Sequence, residues 1–239
     1  MRDEMFDPVI TVAGKPSEMG RQHGSLLRER IQRTVTGMRE QVGPEPYRAS
    51  LDGFRETLAY CQVNAPELVA EMEGIAEGAA VDFDDIFRVN AHLDLMTWKR
   101  LVWENAAENE AEGCSSHAVA TPSAVLLGWN GDDWMGWLGC GAVVRGRPEG
   151  GEPFVYWSLA GSVGRPGMNL HLALAANSLP SRRFRPDGLL YPMVCRKLLA
   201  CRDSEEAKAV LGAYGRCSAM NYLVADRGGR LEAVSQPPV

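Results

Sequence analysis

The chain has 239 residues, of which 45% are hydrophobic and 23% charged, a composition that fits a globular protein with a sizeable core and excludes a disordered or fibrous one. A net charge of −6 argues against nucleic acid as a partner. No apolar run approaches the ~20 residues that span a bilayer, and the start Met1-Arg-Asp-Glu-Met-Phe-Asp7 lacks a secretory apolar core, so a cytoplasmic protein with no membrane partner is expected.

Charge is unevenly divided. Residues 1–113 hold 12 basic and 21 acidic side chains, and residues 114–239 hold 13 and 10, which suggests two different surfaces. From Pro16 to about Val42, Met19, Leu26, Leu27, Ile31, Val35 and Met38 recur near the helical period and predict one long helix with Ser17 as its N-cap. A second helix is predicted over 51–63. Pro66 opens a third, with Leu68, Met72 and Ile75 on one face. Asp82 is placed as the N-cap of a fourth that holds Ile86, Val89, Leu93 and Met96. No strand is expected before Gly113.

The run Glu104-Asn-Ala-Ala-Glu-Asn-Glu-Ala-Glu112 is acidic and without apolar period, which reads as a solvated loop. Beyond Cys114 the period shortens to two. Strands are predicted over 124–130, 139–144, 154–159 and 169–176, the last with Leu170, Leu172 and Leu174 on alternate positions. A helix over 189–202 follows, then a shorter one with Ser204 as its N-cap. A hairpin over 221–225 and 231–234 closes around Asp226-Arg-Gly-Gly229. The sum is one α+β structural domain, built from a helical part (1–113) and a β-rich part (114–239).

Six cysteines are present and no pair is spaced C-x-x-C, so free thiols and no metal site are expected. Cys114, in Gly113-Cys114-Ser115-Ser116, lies where the acidic loop meets the first strand. It is either a buried strand-start thiol or a nucleophile. A nucleophilic thiol needs a base, since free cysteine titrates near pH 8.5. His117 is a poor one, because positions i and i+3 of a strand point to opposite faces. Cutting the Gly113–Cys114 bond would give Cys114 an α-amine titrating near 7.7–8.0, well matched to shuttle the thiol proton. All six tryptophans fall between Trp98 and Trp157, where they either line an acyl pocket or pack the core. Arg165, Ser181-Arg-Arg-Phe-Arg185 and Arg196-Lys197 either meet the phosphates of a coenzyme A donor or form solvated loops. His23 has no ligand-spaced partner and is read as structural.

Several short motifs occur in a telling order: Gly20-Arg-Gln-His-Gly24, Glu71-Met-Glu-Gly-Ile-Ala-Glu-Gly78, Asp85-Ile-Phe-Arg-Val-Asn90, Gly113-Cys-Ser-Ser116, Leu126-Leu-Gly-Trp-Asn-Gly-Asp132, Gly167-Met-Asn169, Asn177-Ser-Leu179, Arg196-Lys-Leu-Leu199 with Ser204-Glu-Glu-Ala207, and Asn221-Tyr-Leu-Val-Ala-Asp226. Together, over nearly the whole chain, they resemble the acyl-coenzyme A:6-aminopenicillanic-acid acyltransferase family of N-terminal-nucleophile hydrolases. The resemblance implies a four-layer αββα sandwich and self-cleavage between Gly113 and Cys114. It implies Cys114 as nucleophile, passing an acyl group from a small-molecule amide or thioester to water or an amine. No cofactor is implied; acyl-coenzyme A would be a substrate. Asp132 matches the family's aspartate behind the nucleophile, and Asn130 shares its strand face. Asp133 stands where the usual Asn-x-Asp-aromatic pattern has its aromatic, and so remains the alternative to Asp132. Asn169 and Asn177 either shape the site or bond loop backbone.

The chain stops at Glu232-Ala-Val-Ser-Gln-Pro-Pro-Val239, where a Thr-Asn-His-like motif resembling the family's would follow. A truncated member with an incomplete sheet is therefore expected: uncut, weakly active, and prone to associate with its own copies through open strand edges. The alternative is a catalytically silent remnant that serves as a binding or oligomerising protein.

Overall fold

The computed structural model describes residues 6–108 and 114–236. Its first element is a strand, β1 (Val9–Gly14), which corrects the expectation of none before Gly113. The β-branched run Val9-Ile10-Thr11-Val12 favours extended backbone. Its partner is β4 (Gly141–Pro148), paired in parallel. A partner so distant in sequence leaves no turn signal beside the strand, and Ile10 and Val12 are the only residues that it buries.

Seven helices follow: α1 (Pro16–Leu26), α2 (Arg28–Val42), α3 (Pro44–Gly53), α4 (Arg55–Asn64), α5 (Pro66–Ala79), α6 (Phe83–Asn90) and α7 (His92–Trp98). Three of the predicted boundaries are corrected. The long first helix bends at Leu27, the helix predicted over 51–63 starts earlier and breaks at Phe54, and the fourth breaks at Ala91. At each break the i→i−4 bonding runs on, for example from Leu27 N–H to the His23 carbonyl and from Ile31 N–H to the Leu27 carbonyl. Hydrophobic period therefore continues across the bends and hides them. Ser17 lies inside α1, whose N-cap is Lys15; the Glu18 carboxylate accepts the Lys15 N–H at 2.9 Å.

Helices α1 and α5 cross backbone to backbone. A Cβ on Gly24 would lie 2.3 Å from the Ile75 carbonyl oxygen, and one on Gly74 would lie 2.3 Å from that of Ser17. Gly20 and Gly78 make equally close approaches. Only glycines allow helix axes to come this near.

The remaining strands are β2 (Cys114–Ala120), β3 (Val125–Gly131), β5 (Phe154–Leu159), β6 (Gly167–Asn169), β7 (Leu172–Ser178), β8 (Met220–Asp226) and β9 (Leu231–Gln236). Seven form one sheet in the order β1-β4-β5-β6-β7-β8-β9, antiparallel except for β1 with β4. The predicted strand over 169–176 is split, because Asn169 Oδ1 accepts the N–H groups of both His171 and Leu172 and turns the chain. Leu170 is exposed in that turn, while Leu172 and Leu174 are buried.

Helices cover one face of the sheet. Val12, Val144, Tyr156, Leu174 and Tyr222 share a core there with Ile31, Met72, Ile75, Leu95 and Leu198. Across the other face lies the antiparallel hairpin of β2 and β3. Asn177 Nδ2 donates to Ser116 Oγ at 3.0 Å, and Trp129 Nε1 donates to the Ala176 carbonyl at 2.9 Å; both bonds tie the hairpin to β7.

Two more helices, α8 (Tyr191–Leu198) and α9 (Ser204–Ala213), lie between β7 and β8. The first is shorter than the predicted 189–202, since the Asn169 amide takes the Leu199 and Cys201 carbonyls at its C-terminal end. In α9 the N-cap is Asp203 rather than Ser204. Its carboxylate accepts the N–H groups of Glu205 and Glu206, whereas the Ser204 hydroxyl donates to Asp226.

Candidate active site

The large sheet contains a gap. Strand β6 is three residues long and pairs with β5 only over Phe154–Tyr156. Among the described residues no strand lies between 157–159 of β5 and 175–178 of β7. The Ala176 carbonyl, unpaired on this side, takes the Trp129 indole N–H from the hairpin layer above. The gap opens into a cavity of about 30 Å³ whose walls include Cys114, Trp129, Asp132, Asp133, Trp157, Arg165, Ser178 and Tyr191. That volume admits roughly one or two water molecules. The Trp129 and Trp157 ring centroids are 6.5 Å apart.

Cys114 opens β2 and pairs across the hairpin with Gly131. Of the six free cysteines it is the only one that is not fully buried. Partial burial raises its thiol pKa; backbone hydrogen bonds from Asp132 and Ser178 and the positive charge of Arg165 pull the other way, and the Asp132 carboxylate raises it. The thiol is thus neutral at rest and needs a base to ionise. Asp132 follows the end of β3, where its carboxylate accepts Asn130 Nδ2 at 2.7 Å. The Asp133 carboxylate accepts the Trp134 N–H at 2.8 Å, a local turn bond.

Arg165 comes from the loop between β5 and β6, which the helical layer holds firmly. His23 Nε2 accepts the Gly161 N–H at 3.1 Å. Asn90 donates from Nδ2 to the Gly161 carbonyl at 3.0 Å and accepts the Val163 N–H on Oδ1 at 2.8 Å. The Tyr156 hydroxyl donates to the Ser162 carbonyl. Gly161 has φ +99°, which only glycine adopts readily. Arg165 is 5% exposed, with its guanidinium 5.5 Å from the Tyr191 ring centroid. Its Nε has no hydrogen-bond partner among the described residues.

Residues 121–237 match the family model described as acyl-coenzyme A:6-aminopenicillanic acid acyl-transferase. The beta-alanyl-dopamine/carcinine hydrolase of Drosophila melanogaster is 27% identical over 193 residues, which is 72% of this chain and 49% of that protein. The 40 kDa form of the acyl-coenzyme A:6-aminopenicillanic-acid-acyltransferase of Emericella nidulans is 23% identical over 219 residues, 90% of this chain and 59% of that protein. Over residues 121–237 the chain is thus similar to that acyltransferase family. It spans about half to three-fifths of the length of these curated relatives. The segment that matches the family model begins at Thr121, in the turn after β2, so Cys114 precedes it.

The structure brings Cys114, Asn130 and Asp132 together at one end of the hairpin. Gly113 lies outside the described residues. Asn177 is nearby, bonded to Ser116, with its buried Oδ1 unpartnered among the described residues. Asn169 is not part of the cavity. It anchors α8 and borders a separate groove of about 480 Å³ at the far end of the hairpin, which Cys114 does not line. His117 is exposed on the hairpin's outer face and lies against Gly128. None of the four histidines lines the cavity.

Of the six tryptophans only Trp129 and Trp157 line the cavity. Trp98 packs on Phe54, and Trp137 on His92 and Trp134. The basic residues that the sequence grouped are dispersed: Arg196 pairs with buried Glu71, Lys197 with Glu67, Arg182 with Glu108 and Arg185 with Asp187. Arg165 alone among them enters the cavity. The supporting roles of His23 and Asn90 are not visible in sequence, although both belong to motifs that carry the family resemblance.

Proposed function

We propose that the chain carries the nucleophile of a cysteine-dependent amidase or acyltransferase of the four-layer N-terminal-nucleophile type, with Cys114 forming the acyl intermediate. The observation that carries this reading is the placement of Cys114. The one incompletely buried thiol starts a strand at a cavity where two backbone hydrogen bonds and a buried arginine meet it.

Processing would begin when Cys114 Sγ attacks the Gly113 carbonyl carbon. The Gly113–Cys114 amide shifts to a thioester, and water hydrolyses it to leave a free α-amine and thiol on Cys114. In turnover the α-amine takes the thiol proton while Sγ attacks the acyl carbon of an amide or thioester. The leaving amine or thiol departs with that proton. Water or an acceptor amine then releases the acyl group, giving its own proton to the α-amine as the thiolate is re-formed and reprotonated. Asp132, held by Asn130, orients the backbone at the thiol. Trp129 and Trp157 offer an apolar wall to a small acyl group. The cavity is narrow, so only the reacting carbonyl enters it and the rest of the donor lies outside.

The test is intact-mass and peptide mass spectrometry after incubation with a short-chain acyl-coenzyme A. An acyl adduct on Cys114, lost in Cys114→Ala, is expected. Turnover that persists in Cys114→Ala, or an adduct on another residue, removes Cys114 from the mechanism. The same spectra report whether a fragment beginning at Cys114 is present.

A further inference from the structure

We infer that Arg165 is the charge-stabilising residue of the Cys114 cavity, placed to balance the negative charge that forms on the thiol sulfur. The inference rests on the reading of Cys114 as nucleophile and adds a residue to it.

Arginine is almost never buried without an anionic partner, because desolvating its charge is expensive unless something opposes it. Arg165 is 5% exposed, forms no ion pair among the described residues, and leaves its buried Nε without a hydrogen bond. The Tyr191 ring face is a partial substitute. The fold nevertheless fixes the loop that carries it through His23, Asn90 and Tyr156. Gly164 tightens the hold: a Cβ there would lie 2.4 Å from the Pro192 carbonyl oxygen. So much scaffolding around a cation that shares its cavity with Asp132 and Asp133, yet forms no ion pair with either, implies that its anion arrives during function. The cavity is about 30 Å³ and holds one thiol, Cys114. An anion formed there is the thiolate, or the tetrahedral oxyanion that follows it.

The other ionisable groups around the thiol define the balance. Asp132 and Asp133 approach from the segment after β3 and Tyr191 from α8, while α7 contributes Leu93 and β7 contributes Ala176 and Ser178. Burial and Asp132 oppose ionisation of the thiol, and Arg165 favours it.

Alkylation of Cys114 reads this directly, without turnover, so it stands or falls apart from the proposed activity. Rates with iodoacetamide and iodoacetate would be followed across pH by peptide mass spectrometry, with free cysteine as reference. The wild-type protein is expected to favour the anionic reagent more than free cysteine does. In Arg165→Met that preference should vanish and the pH midpoint should rise, slowing reaction at neutral pH about tenfold for each unit. Arg165→Lys should fall between, and Asp132→Asn should move the midpoint downward. Opposite shifts in two cavity variants cannot both come from loosened packing. A wild-type protein without anionic preference overturns the inference, as does Arg165→Met with an unchanged midpoint. If Arg165→Met fails to fold, the wild-type preference and the Asp132→Asn shift decide.

Discussion

Asn90 shows how one side chain serves the cavity without touching it. From the last turn of α6 it donates to the Gly161 carbonyl and accepts the Val163 N–H, and so clamps both sides of a left-handed turn. Both backbone groups are shielded from water, so removing the amide leaves each unsatisfied. Asn90→Ala should lose about 2–4 kcal/mol in urea unfolding. It should also raise the alkylation midpoint of Cys114, because the loop that carries Arg165 loses its anchor. Wild-type stability in this variant would show that the turn holds itself. Cys114 and Asp132 are expected from the family resemblance and Asn130 from sharing a strand face with Asp132; the structure sets the three side by side because they fall at one end of one hairpin, where pairing is local. Sequence reading did not find Arg165, His23 and Asn90 as a set. Their association is formed by a loop that reaches two different helices, and no spacing along the chain encodes it. The Asn169 side chain, with both of its ends spent on backbone, looks the same in sequence as one that faces a substrate.

At the scale of elements, the crossing of α1 and α5 explains two of the motifs at once. Gly20-Arg-Gln-His-Gly24 and Glu71-Met-Glu-Gly-Ile-Ala-Glu-Gly78 are the two sides of one contact, glycine against backbone. Close approach brings His23, between those glycines, down to the Gly161 N–H of the loop below. Each motif was legible; that they face one another was not, since helix pairing depends on three-dimensional packing. Gly24→Ala puts a methyl 2.3 Å from the Ile75 carbonyl oxygen and 2.7 Å from the Ala79 nitrogen. Neither backbone atom can give way without moving a helix, so a loss of about 2–3 kcal/mol is expected. Gly212 in α9 has nothing within 4 Å of its would-be Cβ. Gly212→Ala should therefore stabilise by about 0.4–1 kcal/mol through helix propensity and a less flexible unfolded chain. Chemical denaturation of the pair checks the argument: equal effects would show that the crossing is not tight. The missed strand β1 follows the same logic. Its alternation is plain in Ile10 and Val12, but its partner β4 lies more than half the chain away.

For the molecule as a whole, the buried titratable groups set how stability responds to acid. Burial lowers His23 and His92 from 6.5 to about 4. Each holds a neutral ring in the folded state, with Nε2 of His23 on the Gly161 N–H and Nε2 of His92 at 3.0 Å from Gln41 Oε1. A depressed folded pKa means stability that is present above 6.5 and is lost as pH falls toward 4. Each shift corresponds to about 3 kcal/mol. Asp94 works in the opposite direction. Burial raises it from 3.8 to about 6, while its carboxylate accepts the Tyr191 N–H that begins α8. A raised folded pKa favours the folded state below 3.8, and that advantage is lost as pH rises through 6. Two histidines outweigh one aspartate, so the wild-type melting temperature should fall between pH 6.5 and 4. In His23→Gln the amide oxygen can accept the Gly161 N–H and does not titrate. Differential scanning calorimetry should therefore show a shallower acid limb, by about 6–12 °C at pH 4 relative to pH 7 for the ~3 kcal/mol removed. Asp94→Asn should steepen the limb, since the group that resists acid is gone. Parallel curves for wild type and His23→Gln would mean that His23 has the same pKa in the folded and unfolded protein, and that burial does not hold its ring neutral.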